Sequence, residues 1–278
     1  MARLRKGIPT GRRARPRQVP RLRFGFRGSL PGLRWSDGGG LAAGTIPETD
    51  RVAIETAAIK RAPSVRLAAV TDWAAWHTPY DDPDSALSHR LRAVRAEVAS
   101  GLDRASEGPV RLLSLCAGRG LDVLPLLSVH ARGPDVRGRL IELDARNVEV
   151  SRSLAPDGIE VPRADAGSTD TYIDAVPADL LLLCGIFGNI SDEDVARTAG
   201  AVPQLCAPGG TVVWTRSTHA PDLTPAVRKW FAEAGVVETA FVTEGAGGWA
   251  VGAGTFHGQP QPLVPGCRLF TFTRRPPA

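Results

Sequence analysis

The sequence predicts an α/β protein built on a mostly parallel, doubly wound sheet. Between residues 110 and 216, short apolar runs alternate with helical patterns, which is the order of strands and helices in such a fold. Residues 180–184 form a continuous apolar run, which is typical of a strand covered on both faces. The chain of 278 residues is 43% hydrophobic, so it has enough apolar material for a sizeable core.

The elements follow in order from an N-terminal helix. Apolar residues at three- and four-residue spacing predict an amphipathic helix near 85–103. The predicted strands that follow it are 110–116, 139–143, 159–161, 180–184 and 211–215, with helices near 121–131, 147–154 and 192–205 between them. A helix at 225–234 leads to strand-like runs at 236–242 and 268–273, and the Gly-rich stretch 244–266 is expected to be a long loop or an irregular hairpin.

The positive charge of the chain is concentrated at its beginning. Residues 1–34 contain 11 basic residues and no acidic one, which leaves 23 basic and 29 acidic residues elsewhere. The composition of residues 1–48 predicts a disordered basic tail, with a nucleic-acid or anionic-surface arm and a wrongly assigned start as alternatives. Residues 49–107 are predicted to form a helical cap and entry segment, and residues 108–278 the α/β domain.

Several kinds of site are disfavoured by composition. The four cysteines include no Cys-x-x-Cys pair, so neither a zinc site nor a disulfide framework is expected. No stretch approaches the roughly 18 apolar residues of a membrane span. We therefore expect a soluble cytoplasmic protein that binds neither metal nor membrane.

A glycine turn and an acidic residue mark the predicted ligand site. The first strand runs directly into Ala117-Gly118-Arg119-Gly120, where backbone N–H groups and a helix N-terminus meet a ligand at the sheet edge. Glu142 ends the second strand and can accept hydrogen bonds from ribose hydroxyls. Val123 stands where a dinucleotide-binding G-x-G-x-x-G motif has its third glycine, which disfavours NAD(P).

Successive segments of the sequence resemble the motifs of class I S-adenosylmethionine-dependent methyltransferases. They are residues 113–120, 140–144, 164–166, 179–184 and 205–210. Their order and spacing match over residues 108–216, and the wider stretch 72–275 is similar to actinobacterial members of that superfamily. The resemblance implies a Rossmann-like, seven-stranded sheet whose last strand is antiparallel, and S-adenosylmethionine as the cofactor.

The resemblance also implies roles for individual residues. Gly118 and Gly120 would face the amino-acid part of the cofactor, Glu142 its ribose, Asp165 and Ala166 its adenine, and Gly185 the methyl-donor sulfur. The sequence departs from the family pattern where Ser114 replaces the usual acid and Cys116 the usual first glycine. Asp122 is a candidate for polar contact with the methionine moiety, with stabilisation of the helix N-terminus as the alternative.

The acceptor side has weaker signals. His219, which follows the fifth strand, and His77 are candidates for deprotonating or placing the acceptor, with a surface or structural role as the alternative for each. Further candidates for the acceptor pocket are Tyr80, Phe187, Asn189 and Trp214. Asn189 is not followed by the Pro-Pro-aromatic sequence of amino-methyltransferases that act on DNA bases, so that substrate class is disfavoured.

These observations favour methyl transfer to a small or medium-sized acceptor. One alternative is an NAD(P)-dependent oxidoreductase, which Val123 disfavours. The other is a non-catalytic nucleotide- or nucleic-acid-binding protein, which the net acidic charge outside the tail disfavours. Nucleic-acid contacts are expected to be weak and confined to the tail.

Overall fold

A computed structural model describes Asp72, residues 75–245 and residues 247–273 of the chain. Its strands are β1 (Val110–Leu115), β2 (Val136–Ile141), β3 (Ile159–Glu160), β4 (Ala178–Leu183), β5 (Cys206–Ser217), β6 (Val236–Thr243) and β7 (Trp249–Phe256). Its α-helices are α1 (Ala86–Arg104), α2 (Leu124–Leu127), α3 (Ala145–Leu154), α4 (Asp192–Gly200), α5 (Val202–Leu205) and α6 (Thr224–Glu233). Single 3-10 segments cover Ala75–Asp81, Gly133–Asp135 and Thr169–Tyr172.

The strands form one seven-stranded sheet in the order β3-β2-β1-β4-β5-β7-β6. Strands β1 to β5 pair in parallel, whereas β7 is antiparallel to both of its neighbours, β5 and β6. The predicted fold class, a mostly parallel Rossmann-like sheet whose last strand is antiparallel, is confirmed.

Both faces of the sheet are buried. Alternate residues of β4 point to opposite sides, so Leu181 and Leu183 join one apolar cluster while Leu180 and Leu182 join the other. Helix α1 covers the second face through Val94 and neighbouring apolar residues. This explains why β4 is apolar throughout, as expected for a strand covered on both faces.

Helix starts follow local capping chemistry. The Ser85 hydroxyl accepts a hydrogen bond from Ser88 N–H before α1, and Ser191 accepts one from Asp194 N–H before α4. Asp144 caps α3 in the same way. Both Ser85 and Ser191 lie at the starts that the sequence predicts.

The position of the last strand corrects the sequence prediction. Strand β7 lies inside the Gly-rich stretch 244–266, which was expected to be a loop or an irregular hairpin, whereas residues 268–273 make only an isolated bridge between Arg268 and Ser168. A Cβ on Gly252 would lie 2.2 Å from Trp214 Cε2, and one on Gly254 would lie 2.5 Å from Val236 Cγ1. The glycines of β7 therefore reflect close packing against large neighbours.

Other boundaries shift by smaller amounts. The helix predicted at 121–131 is restricted to α2, and the helix predicted at 192–205 is divided into α4 and α5, the second of which has Pro203 in its first turn. The predicted tail at residues 1–48 and the first part of the predicted cap lie outside the described residues. Within the described part, no helix is long and apolar enough to cross a membrane.

Candidate functional site

A cavity of about 600 Å³ lies at the carboxyl edge of the parallel strands. Most of its lining comes from the segments that follow β1, β2, β3 and β4. The rest comes from α1, the residues before α1, β5 and the C-terminal segment. Of the residues proposed from sequence, its lining includes Tyr80, Gly118, Asp122, Glu142, Asp165, Ala166 and Gly185. Seven predicted site residues from separate segments thus meet in one place.

The turn after β1 has an unusual backbone. Cys116, Gly118 and Gly120 all have positive φ angles, of 55°, 57° and 66°. Gly120 is absent from the cavity lining, and a Cβ on it would lie 2.5 Å from Leu124 Cδ1, so a side chain there would displace Leu124. Cys116 adopts a conformation that costs a non-glycine residue about 1–2 kcal/mol. Cys116 thus keeps the left-handed backbone conformation that glycine adopts more easily.

Glu142 fixes this turn to the end of β2. Its side chain is almost fully buried, at 7% relative exposure. Oε2 accepts a hydrogen bond from Gly118 N–H and Oε1 accepts one from Asp144 N–H, each at 2.8 Å. A carboxylate has about four lone-pair sites, so acceptor capacity remains at the cavity.

Asp122 is the least satisfied carboxylate of the cavity. Its Oδ1 is buried and has no hydrogen-bond partner among the described residues. Burial raises the pKa of Asp122 to about 6, against the opposing effects of its own backbone N–H and of Arg95 and Arg90. Asp122 therefore changes charge close to neutral pH, which is common at functional sites.

Tyr80 and Arg90 line the cavity from the part of the chain that precedes β1. Arg90 Nη2 donates a hydrogen bond to the Tyr80 hydroxyl oxygen at 2.7 Å. Burial raises the pKa of Tyr80, although the Arg90 charge opposes this effect. The phenol is thus neutral, and it holds the guanidinium at the cavity.

Asn147 provides a second buried polar atom without a partner. The residue is 1% exposed, lines the cavity, and its Nδ2 has no hydrogen-bond acceptor in the described part of the chain. Nearby, Ser151 on the same helix donates to the Gly118 carbonyl at 2.9 Å. Among the described residues of the cavity, one buried acceptor, on Asp122, and one buried donor, on Asn147, have no hydrogen-bond partner.

The residues after β3 form another part of the lining. Asp165 Oδ1 accepts a hydrogen bond from Gly167 N–H at 2.8 Å, and Oδ2 accepts one from Arg268 Nη2 at 2.9 Å. The Ala166 carbonyl accepts a hydrogen bond from the Tyr172 hydroxyl. These contacts hold the Asp165 carboxylate and the Ala166 backbone in fixed positions at the cavity.

Gly185 leaves open space in the cavity. It has a φ of 77°, and a Cβ placed on it would meet no heavy atom within 4 Å. Its N–H donates to Thr215 Oγ1 and its carbonyl accepts from Asn189 Nδ2, each at 2.8 Å. Asn189, predicted to contact the acceptor, is absent from the cavity lining and holds the Gly185 loop.

Three other predicted residues, Phe187, Trp214 and His219, are not part of the cavity lining. Phe187 and Trp214 are buried in an aromatic cluster, with ring centroids 6.0 and 5.7 Å from that of Phe231. His219 is exposed and its Nδ1 contacts Ser217 Oγ. The side chain of His77 lies outside the described residues. Among the described residues, no group of His, Cys, Asp and Glu could hold a metal ion.

The sequence does not predict several residues of the lining, among them Arg90, Asn147, Thr215 and Phe272. Arg90 reads as part of the polar face of α1, and Asn147 as the start of a helix. A polar residue within the first turn of the helix after Glu142 is a usable signal for Asn147. Phe272 reads as part of a strand that does not form.

Comparison with solved structures finds methyltransferases. Magnesium protoporphyrin IX methyltransferase from Synechocystis PCC 6803, solved with bound S-adenosylmethionine, aligns with a TM-score of 0.53 at 10% identity over 67% of this chain and 91% of that chain. This likeness shows a shared Rossmann-like fold.

Two further neighbours align with lower scores. N-methyltransferase NodS from Bradyrhizobium japonicum WM9 has a TM-score of 0.47 at 18% identity over 66% of this chain and 99% of that chain. An O-methyltransferase family protein from Burkholderia thailandensis has a TM-score of 0.48 at 16% identity over 62% of this chain. The match spans 56% of the Burkholderia protein. No protein-family model and no curated protein matches the sequence.

Proposed function

We propose that this chain, which has the fold of class I methyltransferases, transfers a methyl group from S-adenosylmethionine to a small or medium-sized acceptor. The observation that carries the proposal is the bond between Glu142 and Gly118, which joins the glycine turn to the acid after β2 at the cavity. We place the reaction in the cytoplasm, because the spacing of the four cysteines suggests no disulfide framework.

The unmatched polar atoms of the cavity fit the proposed cofactor. Asp122 Oδ1 requires a hydrogen-bond donor and Asn147 Nδ2 requires an acceptor. The cofactor carries an ammonium group, and its carboxylate and hydroxyl oxygens are acceptors. We assign the ammonium to Asp122, because an ionised carboxylate gains most from a cationic partner.

The rest of the site follows from the positions of the fixed groups. Glu142 has acceptor capacity for ribose hydroxyls after its two backbone bonds are counted. Asp165 and the Ala166 backbone are proposed to hold the adenine edge. The open space at Gly185 leaves room for the reacting centre. Gly118 and Gly120 shape the turn between them.

The chain would contribute to catalysis mainly by positioning. When bound, S-adenosylmethionine supplies an electrophilic methyl group on a sulfonium sulfur. The buried walls of the cavity orient the bound groups and exclude water, which can supply a large part of the rate enhancement. Tyr80 and Arg90 are held together at the cap side and would limit how the acceptor enters.

A proton acceptor is needed only if the methyl acceptor carries a proton at neutral pH. His219 and His77 stay our candidates for this role. Phe187, Asn189 and Trp214 would then act behind the cavity, by holding the Gly185 loop and β5 in place. Turnover of the His219→Ala and His77→Ala variants, with cofactor affinity measured in parallel, tests this assignment once an acceptor is known.

The cofactor assignment is tested by ligand-dependent thermal stability. S-adenosylhomocysteine should raise the melting temperature of the chain, since a ligand that binds only the folded state stabilises it. NAD and NADP should leave it unchanged. Glu142→Ala should weaken S-adenosylhomocysteine binding by about 1.5–3 kcal/mol, because hydrogen bonds to a charged carboxylate are lost.

Glu149→Ala is the matched control, because Glu149 is exposed on α3 and is not part of the cavity lining. It should bind S-adenosylhomocysteine as the wild type does. A melting shift with NAD and none with S-adenosylhomocysteine would overturn the proposed cofactor.

A further inference from the structure

The chain that follows the last strand, β7, contributes a residue to the cavity lining. We call residues 257–273 the C-terminal strap. It leaves the antiparallel strand β7 and reaches the residues that follow β3, where Arg268 forms an isolated bridge with Ser168. It then continues to the loop after β4, where Thr273 N–H donates to the Asn189 carbonyl at 2.7 Å.

The strap is anchored to the body of the protein by hydrogen bonds and by buried side chains. Leu269 N–H donates to the Gly167 carbonyl at 2.9 Å, and Thr271 N–H donates to Asp194 Oδ2 at 2.9 Å. Leu269 and Phe270 are buried, at 6% and 1% exposure. These anchors make the strap part of the folded core.

Packing between the strap and the turn after β3 is close. A Cβ on Gly167 would lie 2.4 Å from the Phe270 carbonyl oxygen. Arg268 pairs with Asp165 through Nη2 and Oδ2. The segment proposed to hold adenine is thus in direct contact with the strap.

Phe272 is the strap residue that reaches the cavity. It lines the cavity together with Ala164, Asp165 and Ala166, and it packs against the buried cluster that contains Ala166. Its ring meets that of Phe270 edge to face, with centroids 5.9 Å apart and planes at 74°. The contact with Phe270 restricts the orientation of the Phe272 ring, and the Thr273 hydrogen bond holds the backbone that follows Phe272.

We infer that Phe272 is a cofactor-binding residue whose ring packs against the adenine of the bound cofactor. The inference rests on the proposed function. An aromatic ring beside a fixed carboxylate suits a purine, because the ring covers the face of the base while Asp165 accepts from its amino group. Sequence motifs of the β1 to β5 region cannot contain this residue, since it follows the last strand.

Binding measurements on Phe272 variants test the inference. Phe272→Ala should weaken S-adenosylhomocysteine binding about tenfold or more, as expected for loss of stacking on one base. It should weaken 5′-methylthioadenosine by a similar factor, because that ligand keeps the adenine and lacks the amino-acid part. Phe272→Tyr should retain wild-type affinity for both ligands, because the ring is preserved.

Val264→Ala is the matched control, since Val264 lies on the same strap, is 52% exposed and is not part of the cavity lining. It should bind both ligands as the wild type does. Melting temperatures of all variants show whether each is folded. If Phe272→Ala unfolds, Phe272→Leu replaces it as the test, with the same expected loss.

The outcomes separate the two proposals. If the wild type binds S-adenosylhomocysteine and folded Phe272→Ala binds it equally well, the role of Phe272 is wrong while the proposed function stands. A loss for S-adenosylhomocysteine with none for 5′-methylthioadenosine also overturns the adenine contact. If the wild type binds neither ligand, the proposed function fails and this inference fails with it.

Discussion

At the scale of single residues, two buried carboxylates of the cavity differ in how they are satisfied. Glu142 accepts hydrogen bonds from two backbone N–H groups, whereas Asp122 Oδ1 has no partner in the described part of the chain. A buried polar atom without a partner reduces stability. We therefore expect Asp122 to be kept for binding at the expense of the ligand-free fold.

Replacing Asp122 by Asn should stabilise the ligand-free protein at pH 8 by on the order of 2–3 kcal/mol. The physical reason is that burial raises the pKa of Asp122 to about 6, so its ionised form is disfavoured in the folded state. For a raised pKa, the wild type loses stability as pH rises through about 6, and the advantage of Asn should vanish below about pH 4. Denaturant unfolding across this pH range measures the effect.

Asp122→Asn should also weaken S-adenosylhomocysteine binding, and the loss should grow as pH rises through the pKa of about 6. Asp157→Asn is the control, because Asp157 is exposed and outside the cavity lining. A variant that is less stable than the wild type at every pH would contradict the role assigned to Asp122.

At the scale of elements, the packing of strand β7 against its neighbours depends on its glycines. Gly252 faces Trp214 of β5, and its missing side chain is what lets the Trp214 ring lie across the neighbouring strand. Trp214 in turn contacts Phe187, Phe231 and Phe241. Packing of the Trp214 ring against β7 therefore requires glycine at position 252.

Gly252→Val should destabilise the protein by about 3 kcal/mol or more, because overpacking forces the neighbouring side chains and backbone to move. The Cβ alone would lie 2.2 Å from Trp214 Cε2. Gly200→Ala is the control, since a Cβ there meets nothing within 4 Å at the end of α4, and it should leave stability unchanged or raise it by up to about 1 kcal/mol. Equal stability of the two variants in urea would show that β7 tolerates a side chain.

The same features explain which elements the sequence predicts. Strands β1 and β4 are found because residues buried on both faces read as apolar runs. Strand β7 is not predicted because Gly252 and Gly254 pack closely against Trp214 and Val236, which are distant from them in sequence. In a local stretch of sequence, glycine indicates a loop. In β7, the glycines are instead required by packing against residues of other strands.

At the scale of the whole molecule, the cavity is assembled from three separate parts of the chain. The strand ends supply the glycine turn and Glu142, the segment before β1 supplies Tyr80 and Arg90, and the C-terminal strap supplies Phe272. The strand-end residues follow recognisable motifs, so sequence analysis finds them. Arg90 and Phe272 lie outside the motifs, and only folding brings them to the same cavity.

The last prediction concerns residues 1–48, whose charge is opposite to that of the rest. A chain that begins at Thr49 keeps every residue of the cavity lining. Because the removed segment has no apolar periodicity, we expect the melting temperature and the S-adenosylhomocysteine affinity to stay at their full-length values. The isoelectric point should fall well below 9.4, since 11 basic residues are lost.

The 11 positive charges of the tail should attract polyanions, and this attraction should weaken sharply as salt rises. Heparin affinity of the full-length chain at low and high salt, beside the chain that begins at Thr49, measures this contribution. The shortened chain should bind heparin weakly at both salt concentrations, because it keeps 23 basic and 27 acidic residues after Asp37 and Glu48 are removed with the tail. A drop of many degrees in melting temperature on truncation, or loss of S-adenosylhomocysteine binding, would show that the tail belongs to the fold and that the domain boundary near residue 49 is wrong.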